Sequence, residues 1–329
     1  MTRQRWSKLT ENNRNLPFVS IIVPCYNEQD VLRDSIGLLV ERLSRLVAER
    51  YVSDNSFVLF VDDGSRDSTW DIISQYHKLN KSVRGIKLSA NFGHQNALLA
   101  GLLTAKNSVD CVISIDADMQ QDIEIMTEFI DRFKSGVDIV FGVRKDRLTD
   151  NYFKKMSAQL FYKVMHWLGV IIIKNHADYR LVSRRALDAL AEYRGYNLFL
   201  RGIFVNMGFR QETVYFDVKP RLAGNTKYSL SKMLSMALKA ITSFSVVPLR
   251  LVTVTGFSIF LLSICMTLYV FYISFFTSVA VPGWASTVIP IYFLGGIQLL
   301  GIGVIGEYIG KSYQEIKGRP RFIKEEELF

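Results

Sequence analysis

Cys111-Val112-Ile113-Ser114-Ile115-Asp116-Ala117-Asp118-Met119-Gln120 is the stretch whose reading decides the fold. Its first five residues make an apolar run of strand length, and two carboxylates one residue apart follow where that strand should end. Open α/β sheets carry their chemistry at this place, outside the carboxyl ends of the strands. Asp116, Asp118 and the Gln120 amide offer hard oxygen donors suited to Mg²⁺ or Mn²⁺, which in turn would hold a diphosphate. Taken alone, Asp-x-Asp reads equally well as a polar loop capping the next helix, so its neighbours must decide.

Working outward, the same unit recurs. Phe18–Val23 reads as a first strand ending in Pro24-Cys25-Tyr26-Asn27-Glu28, before a helical pattern to about Glu49. Phe57–Val61 is a second, ending in Asp62-Asp63-Gly64-Ser65. Arg84–Leu88 is a third, running through Asn91-Phe92-Gly93-His94-Gln95-Asn96 into a helix over Ala97–Ala105, and Val137–Phe141, ending at Gly142, is a fifth. Strands alternating with helices predict a doubly wound, mostly parallel Rossmann-like sheet. The polar ends of its strands, Tyr26/Glu28, Asp62/Asp63 and Asp116/Asp118, should then converge along one edge. No Gly-x-Gly-x-x-Gly follows the first strand and no Walker loop is present, which excludes the usual dinucleotide enzymes and P-loop ATPases.

The 329 residues are 49% hydrophobic, with positive mean hydropathy and a net charge of +9. From Leu251 through Gly306 there is no Asp, Glu, Lys, Arg or His, whereas a membrane-spanning helix needs only about 20 apolar residues. Two spans fit, divided near Val281-Pro282-Gly283-Trp284. Lys and Arg gather at Lys219–Arg250 and Lys311–Lys324, on both flanks, and the connecting loop has none. By the positive-inside rule both termini and the N-terminal domain are expected in the cytoplasm. No signal-peptide pattern precedes Pro17, and no basic-aromatic stripe outside the membrane-proximal part suggests nucleic acid. Cys25, Cys111 and Cys265 lack metal-site spacing and read as reduced structural cysteines.

Two amphipathic segments complete the pattern. In Tyr152–Leu168, Phe153, Met156, Leu160, Val164 and Leu168 share a helical face, which fits either a membrane surface or packing on the sheet. In Ser229–Val247 the apolar face lies opposite Lys232 and Lys239 and leads through Pro248 into the first span, so an interfacial helix is expected.

Seven motifs now stand in order: Pro24-Cys25-Tyr26-Asn27-Glu28, Asp62-Asp63-Gly64-Ser65, Asn91-Phe92-Gly93-His94-Gln95, Asp116-Ala117-Asp118-Met119-Gln120, Gly142-Val143-Arg144, Asp178-Tyr179-Arg180-Leu181 and Ala223-Gly224-Asn225-Thr226-Lys227-Tyr228. From Val19 to Tyr228 the chain resembles the inverting, GT-A-fold, family 2 glycosyltransferases that act on polyisoprenyl phosphates, and the two C-terminal spans resemble their bactoprenol glucosyltransferase branch. The resemblance implies a cytoplasmic catalytic domain over 1–228, a juxtamembrane helix over 229–248, a transmembrane hairpin over 249–310 and a basic cytoplasmic tail over 311–329.

It implies residue roles as well. Pro24, Tyr26, Glu28, Asp62 and Asp63 would bind base and ribose. Asp118 and Gln120 would ligate the metal, and Asp116 would contact the sugar or the metal's second shell. Arg221 and Lys227 would close over the diphosphate. Asp178 would orient the acceptor or act as base, and Arg144, Lys154, Ser157 and Arg180 would grip the acceptor phosphate. His94 reads as a nucleotide contact or a structural histidine, and Glu307 as an interface or helix-contact carboxylate. Relatives commonly read Asp-Pro-Pro-Glu where Gln121-Asp122-Ile123-Glu124 stands here, which leaves the start of the following helix to be established.

The partners implied are a nucleotide sugar, with UDP-glucose favoured, a polyprenyl phosphate and a membrane, with a homo-oligomer expected. Gly295, Gly296, Gly301, Gly303, Gly306 and Gly310 give the second span a small-residue face for such packing. A processive synthase would need more spans and a Gln-x-x-Arg-Trp motif. A membrane-tethered nucleotide-sugar-binding protein without turnover is the competing class.

Overall fold

The computed structural model describes residues 16–145, 176–193, 195, 199–217, 247–276 and 284–329. The chain divides into two units, one of residues 1–154, 172–227 and 320–329 and one of residues 155–171 and 228–319.

The first unit is built on an eight-stranded sheet. In chain order its elements are β1 (Val19–Cys25), α1 (Gln29–Ala48), β2 (Phe57–Asp62), α2 (Thr69–Leu79), β3 (Val83–Leu88), α3 (His94–Ala105), β4 (Cys111–Ser114), a 3₁₀ turn (Ile123–Ile125), α4 (Met126–Lys134), β5 (Ile139–Arg144), β6 (His176–Ser183), α5 (Arg184–Ala191), α6 (Leu200–Asn206), β7 (Gln211–Phe216) and, far downstream, β8 (Lys324–Leu328). Spatial order is β7-β5-β6-β4-β1-β2-β3-β8. β4, β1, β2 and β3 pair in parallel, as do β5 and β7. The sheet is nevertheless mixed: β6 runs antiparallel between β4 and β5, and β8 runs antiparallel along β3.

The central strands are buried along their whole length, as expected of a sheet covered on both faces. Alternation along β1 assigns those faces. Ile21 and Val23 join Leu32, Ile36, Leu39 and Leu43 of α1, together with Met126, Phe129 and Ile130 of α4, in one cluster. Ile22 points the other way, against α3, where a Cβ on Gly101 would stand 2.5 Å from it. Each such buried aliphatic side chain contributes about 1.5–3 kcal/mol, so the strand ends that carry the polar residues rest on a well-packed frame.

The segment 311–329, expected as a basic cytoplasmic tail, contains regular structure. α8 (Trp284–Ile316) continues through its first residues, and Lys324-Glu325-Glu326-Glu327-Leu328 then forms β8 on the edge of β3. Trp70 Nε1 donates to Glu326 at 3.0 Å, Lys87 pairs with Glu325 at 3.2 Å, and the Ser89 N–H donates to the Ile323 carbonyl at 3.0 Å. Backbone pairing and these side chains together outweigh the solvation of the three glutamates.

In the second unit, α7 (Val247–Phe276) and α8 are helices of 30 and 33 residues. They meet where Gly301 lies close to Val252. Counted over the described residues, no helix is long and apolar enough to cross a membrane. The amphipathic segment 152–168, and 229–247 up to its final residue, lie outside the described residues.

Candidate active site

The loops after β1 and β2 are laced to each other. The Asn27 N–H donates to Ser65 Oγ at 2.9 Å, the Arg66 N–H to Asn27 Oδ1 at 2.9 Å, and the Glu28 N–H to Thr69 Oγ1 at 3.0 Å. Two further bonds cross between the same loops, from the Gln29 N–H to Asp67 Oδ2 at 3.2 Å and from the Ser68 N–H to Gln29 Oε1 at 3.1 Å. Asn27 takes a left-handed φ of 51°, which Asn tolerates better than most residues. This lacing presents Tyr26 to solvent beside a buried Pro24 and a half-buried Glu28.

The Asp62-Asp63 pair splits into two roles. Asp62 is fully buried; its Oδ1 accepts from the Ser65 N–H at 3.2 Å, while its Oδ2 has no hydrogen-bond partner among the described residues. Burial pushes its carboxyl above the ordinary carboxylate range, against the hydrogen bonds from Ser65 and the charge of Lys87. A buried acceptor left without a partner in this way suits a donor brought by a ligand. Asp63 is committed to the chain: its two oxygens accept from the Phe92 and Gly93 N–H groups at 2.8 and 2.9 Å. Gly64 makes that junction possible, since at φ 65° a Cβ would stand 2.4 Å from the Ala90 carbonyl carbon.

The loop after β4 is held from α1. Ser35 Oγ donates to the Ala117 carbonyl at 2.7 Å. The buried Arg42 donates to the Ile123 and Glu124 carbonyls at 3.2 and 2.8 Å, and both Arg42 and Arg45 pair with the Glu124 carboxylate at 2.9 Å. The departure from Asp-Pro-Pro-Glu is thereby answered, because Asp122 caps the turn at 123–125 and Glu124 is clamped. Met119 turns at φ 50°, with Asp118 and Gln120 half-buried on either side and the Gln120 N–H donating to Asp118 Oδ1 at 3.3 Å. Gln121, 1% exposed, donates to Asp116 Oδ2 at 2.5 Å.

The register of β4 on β6 explains how two distant carboxylates meet. Cys111 faces Ser183 and Ser114 faces Arg180, so continuing by two residues sets Asp116 opposite Asp178. His94, the first residue of α3, stands at that junction, with Nε2 3.6 Å from both Asp116 Oδ1 and Asp178 Oδ2. Asp178 is 7% exposed; it pairs with Arg180, and Arg201 forks it with Nε and Nη2 at 3.1 and 2.8 Å. Burial would raise the Asp178 carboxyl, but Arg201, His94 and Arg180 hold it well below the ordinary range. Burial works against a charge on His94 too, yet Asp178 and Asp116 raise its imidazole above the ordinary value.

Arg180, expected to grip an acceptor phosphate, is placed inside the sheet, with its Nε and Nη1 lacking a hydrogen-bond partner among the described residues. At 1% exposure it pairs with Asp178 and lies over the Phe204 ring, with its pKa lowered by burial to about 10. Arg201 was missed because it belongs to none of the motifs, and only a strand assignment for β6 would have drawn it in. Arg144 ends β5 exposed, opposite Phe216 of β7. Lys154, Ser157, Arg221 and Lys227 lie outside the described residues. Among the described residues no three His, Cys, Asp or Glu side chains form a metal cage. Asp118 and Gln120 supply two oxygen donors, the small protein share expected where Mg²⁺ or Mn²⁺ binds mainly through substrate phosphates and water. The donor set therefore fits such an ion.

The sequence model described as glycosyl transferase family 2 matches residues 20–191. An uncharacterized glycosyltransferase of Bacillus subtilis, YkoT, is 48% identical over 95% of this chain and 93% of its own. The bactoprenol glucosyl transferase of Shigella phage SfII is 35% identical over 93% of this chain and 96% of its own. Among solved structures, glucosyl-3-phosphoglycerate synthase from Mycobacterium tuberculosis, in complex with Mn²⁺, UDP-glucose and phosphoglyceric acid, superposes with a TM-score of 0.43 at 17% identity, over 69% of this chain and 78% of that one.

Proposed function

This chain belongs to glycosyl transferase family 2, and on that premise we propose that it transfers a sugar, glucose from UDP-glucose, to a polyprenyl phosphate at the cytoplasmic face of a membrane. The observation that carries the acceptor is the reach of the similarity. Relatives named bactoprenol glucosyl transferase align over 93% of the chain, well beyond residue 191 where the family model ends. The donor rests on those names and on the buried, unpartnered Asp62 Oδ2 at the end of β2.

The chain's own residues divide the work. Tyr26, Glu28 and Asp62 receive the nucleoside, whose ribose hydroxyls and base N–H are donors for carboxylate acceptors. Asp118 and Gln120 would hold Mg²⁺ or Mn²⁺, which when bound supplies charge neutralisation at the diphosphate leaving group. Arg221 and Lys227 are the proposed cover for that diphosphate, and Arg144, Lys154 and Ser157 the proposed seat of the acceptor phosphate. A phosphate monoester has a second pKa of about 6 and is mostly dianionic at neutral pH, so the attacking oxygen needs no strong base. Asp178, held ionised by its arginine fork, acts in this scheme to orient neighbouring groups.

We propose α7 and α8 as the membrane anchor. The support is the whole sequence of these helices, which carries no charged residue or His from Leu251 through Gly306, whereas the described residues alone give no spanning helix. Basic residues on both flanks favour cytoplasmic termini. The segments 152–168 and 229–247 would lie at the interface and bring the site to the lipid phosphate, with subunits packing through the glycines of α8.

The test is a transfer assay with purified protein in detergent, undecaprenyl phosphate, Mg²⁺ or Mn²⁺ and a panel of labelled nucleotide sugars. Label should enter the lipid phase from UDP-glucose and be lost with chelator and in Asp118→Ala. Transfer from another donor would reassign the sugar. Donor binding without transfer from any donor would overturn the reaction in favour of a tethered binding protein.

A further inference from the structure

The β4 and β6 strand ends bring two carboxylates within reach of one nitrogen. Asp116 and Asp178 each have an oxygen 3.6 Å from His94 Nε2, so they lie within twice that distance of each other. At 3.6 Å each contact is longer than a hydrogen bond and acts through charge. Arg180 and Arg201 both pair with Asp178. Asp116 accepts from the neutral Gln121, lies 3.6 Å from His94 Nε2 and also acts by its charge on the buried Arg180.

The placement of His94 is itself built. Asp63 pins the Phe92 and Gly93 N–H groups, Asn96 Nδ2 donates to the Phe92 carbonyl at 2.9 Å, and Gly93 turns the chain at φ 90° into α3. Ala97, Leu98, Leu99 and Leu102 bury α3 on the sheet. The charged groups facing the imidazole are Asp116, Asp178, Arg201 and, at longer range, Asp63. A surface histidine with only a packing role would need none of this framing.

We propose that His94 is a positioning residue for glycosyl transfer: its imidazolium ties Asp116, beside the metal ligands, to Asp178, beside Arg201, and so fixes the donor half of the site against the acceptor half. This rests on the reaction proposed above. It differs from a nucleotide contact, which would act on donor affinity. It differs equally from a structural histidine, which would act on folding alone. A displacement of about 1 Å between reacting groups costs about 100-fold in rate, and that is the scale of effect expected.

The experiment compares wild type with His94→Ala, His94→Gln and His94→Lys in full-length protein, reading kcat, donor KM, UDP affinity by calorimetry and the thermal melt. Expected for His94→Ala is a kcat lower by about 100-fold, with donor KM and UDP affinity within about threefold of wild type. Expected for His94→Lys, which restores a cation, is recovery of about tenfold over Ala, with Gln remaining near Ala. A kcat for His94→Ala within about twofold of wild type overturns the proposal. So does a raised donor KM at unchanged kcat, and so does a loss that Lys does not recover. Wild-type protein that transfers no sugar from any donor removes the reaction itself and overturns both readings together.

Discussion

Arg201 and Asp178, 23 residues apart in sequence, meet as a two-pronged pair, with Nε 3.1 Å from Oδ1 and Nη2 2.8 Å from Oδ2. The fork spans two elements, since Asp178 lies in β6 and Arg201 in α6. A guanidinium matches a carboxylate in this way and an ammonium does not. Arg201→Ala should therefore cost about 2 kcal/mol of stability, as for a lost hydrogen bond to a charged group, and reduce kcat by at least about tenfold. Arg201→Lys should keep most of the stability and little of the rate. Thermal melts and the lipid transfer assay measure the two losses separately.

The same carboxylate sets an acid limb. Its pKa is depressed in the folded chain because Arg201, His94 and Arg180 outweigh the burial that pushes it up. The stability this contributes is present above the unfolded value, about 3.9, and is lost as pH falls through the lower folded value. Asp178→Asn, which has no such proton to take up, should then lose less of its Tm than wild type as the pH is lowered from about 4 to about 2. Equal slopes for the two proteins would place the acid sensitivity elsewhere.

Asp62 trades stability for binding. A buried carboxyl with one oxygen lacking a partner is costly, and a neutral amide in its place relieves that cost. Asp62→Asn should raise stability by about 1 kcal/mol, a Tm increase of roughly 2–4 °C. It should weaken UDP binding by at least about tenfold, because the amide turns an acceptor into a partial donor. Calorimetric titration with UDP alongside a melt checks both signs.

Gly64 should be nearly irreplaceable. At its φ of 65° a Cβ would come within 2.4 Å of the Ala90 backbone, which leaves no room for Ala, and backbone cannot swing aside as a side chain would. Gly64→Ala should separate the Asp62–Ser65 loop from the loop that carries Phe92, Gly93 and His94. The expected result is a loss of about 2–3 kcal/mol, with nucleotide affinity falling in parallel, as read from a denaturant titration.

The parallel half of the sheet was legible in sequence because β1, β2 and β4 are apolar runs that stop at polar clusters, and each polar cluster lands at a strand end. β6 was not: His176-Ala177-Asp178-Tyr179-Arg180-Leu181-Val182-Ser183 holds an Asp and an Arg in a strand buried at every described position. Nothing local announces that these two charges neutralise each other inside the sheet. β8 was hidden for a related reason, since Glu325-Glu326-Glu327 reads as a solvated tail until Trp70 and Lys87 are found waiting for it. Asp62, Asp116 and Asp118 could be picked as site residues by type and place. The partners that aim them, Ser35, Arg42 and Gln121, could not, because those contacts are tertiary.

β8 also imposes an order of events on synthesis. β3 ends at Leu88 and its outer partner begins at Lys324, and ribosomes add about 5–20 residues per second, so the two are born roughly 10–50 s apart. Throughout that interval the β3 edge is a bare row of amides and carbonyls, the kind of edge that recruits strands from other chains. α7 and α8 leave the ribosome before the edge is covered. The sheet is therefore finished only after both long helices have been made, and a transcript broken between them and β8 yields a domain that carries every strand-end carboxylate described above and is still open to its neighbours.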